Sequence, residues 1–99
     1  MPVDRVEVEA YSQAVNAWIV RTPGRQFPAH VIQGDSFVQY FRLAQSVLDR
    51  VRVCHCADSE LLDEAAELRD LLWARVNDYE ETLRASGFPL PYDRPEWPK

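Results

Sequence analysis

The chain has 99 residues, of which 46% are hydrophobic and 27% are charged, and its formal net charge is −5. A chain of this length builds one hydrophobic core, and its content of large apolar residues excludes an intrinsically disordered protein. The charge is +1 over residues 1–53 and −6 over residues 54–99, a balance that argues against nucleic-acid binding, which depends on Lys and Arg neutralising phosphates.

Residues 4–33 predict a small antiparallel sheet. Residues 4–11 alternate between apolar and polar side chains, which indicates a half-buried strand. Residues 15–22 are rich in β-branched and aromatic residues and end at Pro23-Gly24, a pair that suits the central positions of a type II turn. A third, shorter strand is predicted over residues 29–33, and residues 12–14 would connect the first two strands as a hairpin.

A first helix is predicted over residues 36–53, with Asp35 or Ser36 as its N-cap. Its apolar side chains recur at three- and four-residue steps and form one stripe that faces the core. The members of this stripe are Phe37, Phe41, Ala44, Val47 or Leu48, and Val51.

A second helix is predicted over residues 59–86, with Asp58 or Ser59 as its N-cap and Gly87 as a left-handed C-cap. Its apolar residues alternate between four- and three-residue steps, a spacing typical of the seam between two antiparallel helices. The seam residues are Leu61, Ala65, Leu68, Leu72, Val76, Tyr79 and Leu83.

These elements together predict an α+β fold in which a two- to three-stranded antiparallel sheet precedes an antiparallel pair of helices. We expect a single domain over residues 1–87, followed by a proline-rich tail over residues 88–99 that favours extended geometry. The tail either docks on the domain through Phe88, Leu90 and Tyr92 or extends into solvent.

The segment between the second strand and the first helix is one candidate binding site. Its polar side chains stand on a frame of two rigid turns, and a pair of arginines can hold a carboxylate or a phosphate through bidentate hydrogen bonds. The alternative is structural, since Arg and Asp side chains here can pair across the turn. The candidate residues are Arg21, Arg25, His30 and Asp35.

An acidic run on the second helix is the other candidate binding surface. Asp63, Glu67 and Asp70 lie at helical neighbour spacing, so they share one face. Such a face is either solvated or complementary to a cationic partner. Trp73, next to Leu72 and off the main seam, is interpreted as a core residue in preference to an interface residue.

We find no catalytic residues, no metal site and no cofactor motif in the sequence. The cluster Cys54-His55-Cys56 has only three soft or borderline ligands, whereas a structural zinc site takes four. A helix terminus is the favoured interpretation. The two cysteines are too close in sequence for an unstrained disulfide, the longest apolar runs are far below the roughly 20 residues that span a bilayer, and we expect a cytoplasmic protein that does not bind a membrane.

The segments VRTPGRQFP at residues 20–28, VIQGDS at residues 31–36 and GFPLPY at residues 87–92 resemble a family of short bacterial proteins known only as a domain of unknown function. This resemblance implies no activity and no catalytic residues. Some similar small acidic α+β proteins look like immunity proteins of bacterial toxin systems.

Three functional hypotheses follow from the sequence. The favoured one is a non-catalytic protein-binding module, in particular an immunity-type inhibitor that covers the basic surface of a bacterial toxin or effector. The first alternative is a small-molecule or anion-binding domain that uses the segment from Arg21 to Asp35, with or without a modest enzymatic activity. The second alternative is a homodimeric structural module in which Trp73 and the longer helix bury against a second copy.

Overall fold

The computed structural model describes residues 3–55 and 58–94. A three-stranded antiparallel sheet, in the order β1-β2-β3, precedes two helices, and the fold is the small α+β fold predicted. The elements are β1 (Glu9–Ala14), β2 (Ala17–Arg21), β3 (Ala29–Ile32), α1 (Gly34–Val53) and α2 (Ser59–Ala85).

The first strand lies further along the chain than predicted, because residues 4–8 have no partner strand. β2 ends at Arg21, which pairs with Glu9, so the pairing cannot extend to the alternating valines before it. The connection that was predicted at residues 12–14 belongs to β1, and the hairpin turns instead at Val15 and Asn16. Asn16 has a left-handed φ of 63°, a conformation that asparagine tolerates better than most residues.

The predicted Pro23-Gly24 turn is confirmed. Gly24 has a φ of 78°, and the amide of Arg25 donates to the carbonyl of Thr22 at 3.2 Å. This combination is the type II turn, which needs a positive φ at its third residue. It places β3 antiparallel to β2, with Ala29 opposite Val20.

The first helix starts earlier than predicted, and neither Asp35 nor Ser36 is its N-cap. Gln33 occupies that position without a side-chain cap, while its own amide donates to the carbonyl of Asn16 at 3.1 Å. The bond to Asn16 ties the start of α1 to the β1–β2 turn, so the helix begins directly after β3. Asp35 lies in the first turn, where its charge interacts favourably with the helix dipole.

The second helix has both of its predicted caps. The carboxylate of Asp58 accepts from the amide of Leu61 at 2.7 Å. At the other end Gly87 has a φ of 80°, and the amide of Phe88 donates to the carbonyl of Leu83 at 2.9 Å. These are the features of a Schellman motif, which satisfies the last carbonyls of a helix.

The hydrophobic core lies between the two helices. Val38, Phe41 and Val76 are fully buried at its centre. The rings of Phe41 and Trp73 approach to 5.4 Å between centroids, so Trp73 is packed against the core. Sequence analysis allowed either Val47 or Leu48 as a member of the α1 stripe, and Leu48 is the buried one.

Two residues of the predicted α2 seam are not in the core. Leu61 and Leu68 are 46% and 52% exposed. They lie at the edge of the sector of α2 whose centre is buried, and among the described residues no strand or helix covers them. Glu80, on the opposite edge of the same sector, takes an inner position that the sequence pattern did not assign to it. Trp73, on the same edge, packs against the core, which is the position that sequence analysis favoured for it.

The most unusual buried residue is Glu80, whose side chain is 1% exposed. The hydroxyl of Tyr92 donates to its Oε2 atom at 2.8 Å, and the Nε atom of Arg94 lies 3.1 Å from its Oε1 atom. Arg42 of α1 donates to the carbonyl of Asp93 at 2.7 Å. Residues 88–94 therefore fold back on the helix pair, through Tyr92, whereas Phe88 is exposed.

Replacing Tyr92 with Phe tests this anchor. The substitution keeps the ring and removes one of the donors to the buried carboxylate, so we expect a loss of about 1.5–3 kcal/mol in the free energy of unfolding, the range for hydrogen bonds to charged groups. Tyr40→Phe is the matched control, because Tyr40 is an exposed tyrosine on α1 whose change should stay within about 0.5 kcal/mol. Urea unfolding followed by circular dichroism measures both, and equal stabilities for the two variants would contradict the anchoring role.

Candidate functional site

A cavity of about 230 Å³ lies where β3, the start of α1, α2 and the tail meet. Its apolar wall comes from Ile32, Phe37 and Val76. Its polar wall combines two groups that can carry positive charge with two phenols. These polar side chains are His30, Arg75, Tyr79 and Tyr92.

Close packing at the start of α1 forms one side of this cavity. A Cβ atom at Gly34 would overlap the ring of Tyr79, so only glycine lets the ring approach the backbone this closely. Gly34 and Tyr79 both line the cavity. Gly34, the first residue of α1, therefore has a packing role in the site.

The structure divides the predicted loop site into separate parts. Arg21 and Arg25 line a depression of about 500 Å³ beside the Pro23-Gly24 turn, whereas His30 lines the cavity described above. Asp35 is exposed in the first turn of α1 and lines neither of them. The four residues of the loop are thus not brought together around one cavity.

Arg21 is engaged in an ion pair within the sheet. Its Nε atom donates to Oε1 of Glu9 at 2.9 Å, and a second guanidinium nitrogen contacts the same oxygen. The hydrogen bond from Arg21 lowers the pKa of Glu9 below its ordinary value, and the same bond raises the pKa of Arg21. This pairing matches the structural alternative for Arg21, although its partner is Glu9 of the neighbouring strand and not Asp35.

The acidic residues predicted on α2 are all exposed. Asp63 and Glu67 lie on the face that points away from α1. Asp70 accepts from Nε of Arg69 at 2.6 Å, and Arg69 also donates to Gln45 of α1 at 2.8 Å. The carboxylates therefore form a solvent-facing acidic face, while Trp73 is directed toward Phe41.

An apolar surface that sequence analysis did not predict lies beside the acidic face. Tyr40, Leu43 and Val47 follow one another at helical spacing on α1, outside its buried stripe. Three exposed leucines also recur at helical spacing on α2. Because the two helices are antiparallel, the α1 row and the α2 row lie on the same side of the helix pair, opposite Arg42 and Trp73. We call this surface the apolar flank: Tyr40, Leu43, Val47, Leu61, Leu68 and Leu71.

The comparisons with known proteins identify the family. A model of the family of unknown function DUF6959 matches residues 3–92. The chain belongs to this family. No curated protein and no solved structure matches it significantly.

The remaining predictions concern the cysteines after α1, groups of metal ligands and helices that could cross a membrane. Cys54 is exposed and lies directly after the end of α1, and Cys56 lies outside the described residues, as do residues 95–99 of the predicted tail. Within residues 3–55 and 58–94, no three His, Cys, Asp or Glu side chains are grouped so that they could hold a metal ion. In the same part of the chain, neither helix is both long and apolar enough to cross a bilayer.

Sequence analysis did not place Arg75, Tyr79 or Tyr92 in a site, and it did not predict the buried Glu80 to which Tyr92 is bound. Glu80 had a signal, because it follows Val76 by four residues and therefore falls on the core side of α2. An acidic residue at such a position needs a partner if it is buried. Tyr79 was assigned to the seam, and Arg75 has no local pattern that distinguishes it from a surface arginine.

Burial and the bond to Glu80 raise the pKa of the Tyr92 hydroxyl well above its ordinary value. The raised pKa belongs to the folded state. The bond from Tyr92 to Glu80 therefore contributes fully to the free energy of unfolding below about pH 10, the pKa of an unfolded tyrosine. This contribution is then lost progressively as the pH rises toward the folded value.

An alkaline titration measures this directly. The chain has four tyrosines, and we expect one phenolate absorbance step at 295 nm to be delayed to distinctly higher pH in the folded protein. Tyr92→Phe should remove the delayed step, whereas Tyr40→Phe, which leaves the bond to Glu80 intact, should keep it. Simultaneous ionisation of every tyrosine, before the protein unfolds, would contradict the buried bond.

Proposed function

We propose that this protein is a non-catalytic protein-binding module whose partner covers the apolar flank. The observation that carries this proposal is the exposure of large side chains on one side of a helix pair. Leu43 and Val47 are 66% and 51% exposed, and the α2 leucines continue the same surface. Contiguous apolar surface on a soluble domain commonly marks an interaction site.

The shape of the molecule explains why this surface stays open. The radius of gyration is 16.6 Å, compared with about 13 Å for a compact domain of 100 residues. The sheet lies near one end of the helix pair, where Ile32 and Phe37 line the same cavity. Among the described residues the sheet leaves the flank side chains exposed, and a partner molecule that covered them would gain the free energy of burying this apolar surface.

The border of the flank defines the chemistry of the partner. Glu64 lies within one helical turn of both Leu61 and Leu68, and Glu67 lies one turn before Leu71. These carboxylates join the acidic face of Asp63 and Asp70. A partner with an apolar centre and a rim of Lys and Arg would be complementary in both respects.

A partner of this kind fits a more specific proposal, in which this chain is an immunity-type inhibitor. An inhibitor of that type is a small acidic protein that covers the basic surface of a toxin or effector. Small size, a net charge of −5 and the acidic border support this more specific proposal. A homodimer through the flank is less favoured, because a second copy would bring an equally acidic border to the same contact and like charges oppose association.

Affinity capture with matched variants tests the proposal. Tagged protein is incubated with lysate of its source cells, and the bound proteins are identified by mass spectrometry. We expect one basic protein in stoichiometric amount, retained weakly when the salt rises to about 1 M because the Debye length falls to about 3 Å. The double variant Leu43→Ser, Leu68→Ser should reduce capture at least about tenfold, which corresponds to about 1.4 kcal/mol.

Val31→Ser is the matched control, since Val31 is an exposed apolar residue of β3 outside the flank. It should leave capture unchanged. Recovery of the bait alone at every salt concentration, or equal loss in the control, would overturn the proposal. Light scattering of the purified protein decides the dimer alternative, because a dimer that the double variant converts to a monomer would assign the flank to self-association.

A further inference from the structure

The cavity beside β3 has the size and lining of a small-molecule site. An engineered apolar cavity of about 150 Å³ accepts benzene, so the cavity of about 230 Å³ has room for one six-membered ring and a small polar substituent. Ile32, Phe37 and Val76 provide the apolar contacts for such a ring. Pockets of this kind, apolar with a few convergent polar groups, are the usual form of ligand sites.

The charge of the lining contrasts with the charge of the chain. No carboxylate is among the described residues that line the cavity, although the protein carries 16 acidic residues. Arg75 contributes a guanidinium and His30 an imidazole. Two carboxylates lie close to this wall. Glu80 is bound to the hydroxyl of Tyr92 and paired with Arg94, and Asp78 is an exposed residue that follows Arg75 by three positions on α2.

Arg75 is available to a ligand. Arg75 is exposed. Arg21, Arg69 and Arg94 each form an ion pair with a carboxylate, whereas Arg75 forms no ion pair with another described residue. A guanidinium matches the two oxygens of a carboxylate in a bidentate geometry. The start of α1 at Gly34 adds the positive end of a helix dipole to the same cavity.

We propose that this cavity binds a small organic carboxylate with an aromatic body. The ring contacts Ile32, Phe37 and Val76, and the carboxylate is held at Arg75 and His30. The hydroxyl of Tyr79 is a further donor at the same wall. This inference goes beyond the protein-binding proposal and does not depend on it, because the cavity and the apolar flank have no residue in common.

The test uses benzoate and phenylacetate as probes of the full chain. Each is titrated into ¹⁵N-labelled protein while amide resonances are recorded. We expect saturable shifts at the amides of Ile32, Phe37 and Val76 for at least one of the two probes. Benzamide, the neutral isostere of benzoate, and phenylacetamide should bind at least about tenfold more weakly, because they cannot form the charge-assisted pair with Arg75.

Two variants separate the cavity from general charge attraction. Arg75→Ala should weaken binding of the carboxylate at least about tenfold. Arg84→Ala removes an exposed arginine from the same helix, outside the cavity, and should change the affinity less than about twofold. Circular dichroism establishes that both variants are folded.

The inference is overturned if neither carboxylate gives saturable shifts around the cavity at millimolar concentration. It is also overturned if the amides bind as tightly as the acids, a comparison that needs no variant and therefore stands even where Arg75→Ala does not fold. Equal losses in Arg75→Ala and Arg84→Ala would show only nonspecific attraction of anions, which likewise contradicts a site.

Discussion

A single buried carboxylate connects the parts of this molecule. Glu80 occupies an inner position of α2 and is 1% exposed, and a charge in that environment persists only when it is paired and hydrogen-bonded. Its partners come from Tyr92 and Arg94, beyond the end of the helix. The contacts of Glu80 with these two residues hold the chain against the helix pair after Gly87.

The return of the tail makes the two sides of the helix pair different. Arg42 holds the carbonyl of Asp93 and lies 6.0 Å from the centroid of the Tyr92 ring, so residues 92–94 cover the side that also carries Trp73. The opposite side keeps its apolar rows exposed. Tyr92 also lines the cavity beside β3, so residues 88–94 contribute to the wall of the cavity, whereas the flank stays exposed among the described residues.

The fold was accessible from the sequence because its signals are local. The Pro23-Gly24 turn, the Asp58 cap and the Gly87 cap each depend on residues within a few positions, and all three are confirmed. The predicted start of β1 was wrong. The alternation of apolar and polar residues at positions 4–8 is compatible with a strand, but it does not show whether a partner strand is available to pair with it. The cap of α1 was misjudged because the bond between Gln33 and Asn16, which are 17 positions apart, is a tertiary contact.

The candidate sites depend on tertiary contacts almost entirely. His30 was predicted, but it was grouped with Arg21 and Arg25, which line a different depression. The spacing of apolar residues also could not show which edge of the α2 seam another element would cover. Leu61 and Leu68 were therefore assigned to the core although they are exposed.

The acidic face of α2 and the cavity near β3 differ in charge because of this arrangement. Acidic residues concentrate on the outer face of α2, whereas the described residues that line the cavity near β3 include none. Because 0.1 M salt largely screens exposed charges beyond about 10 Å, the groups at the wall of the cavity, such as Arg75, decide what it binds more than the net charge of the whole chain does.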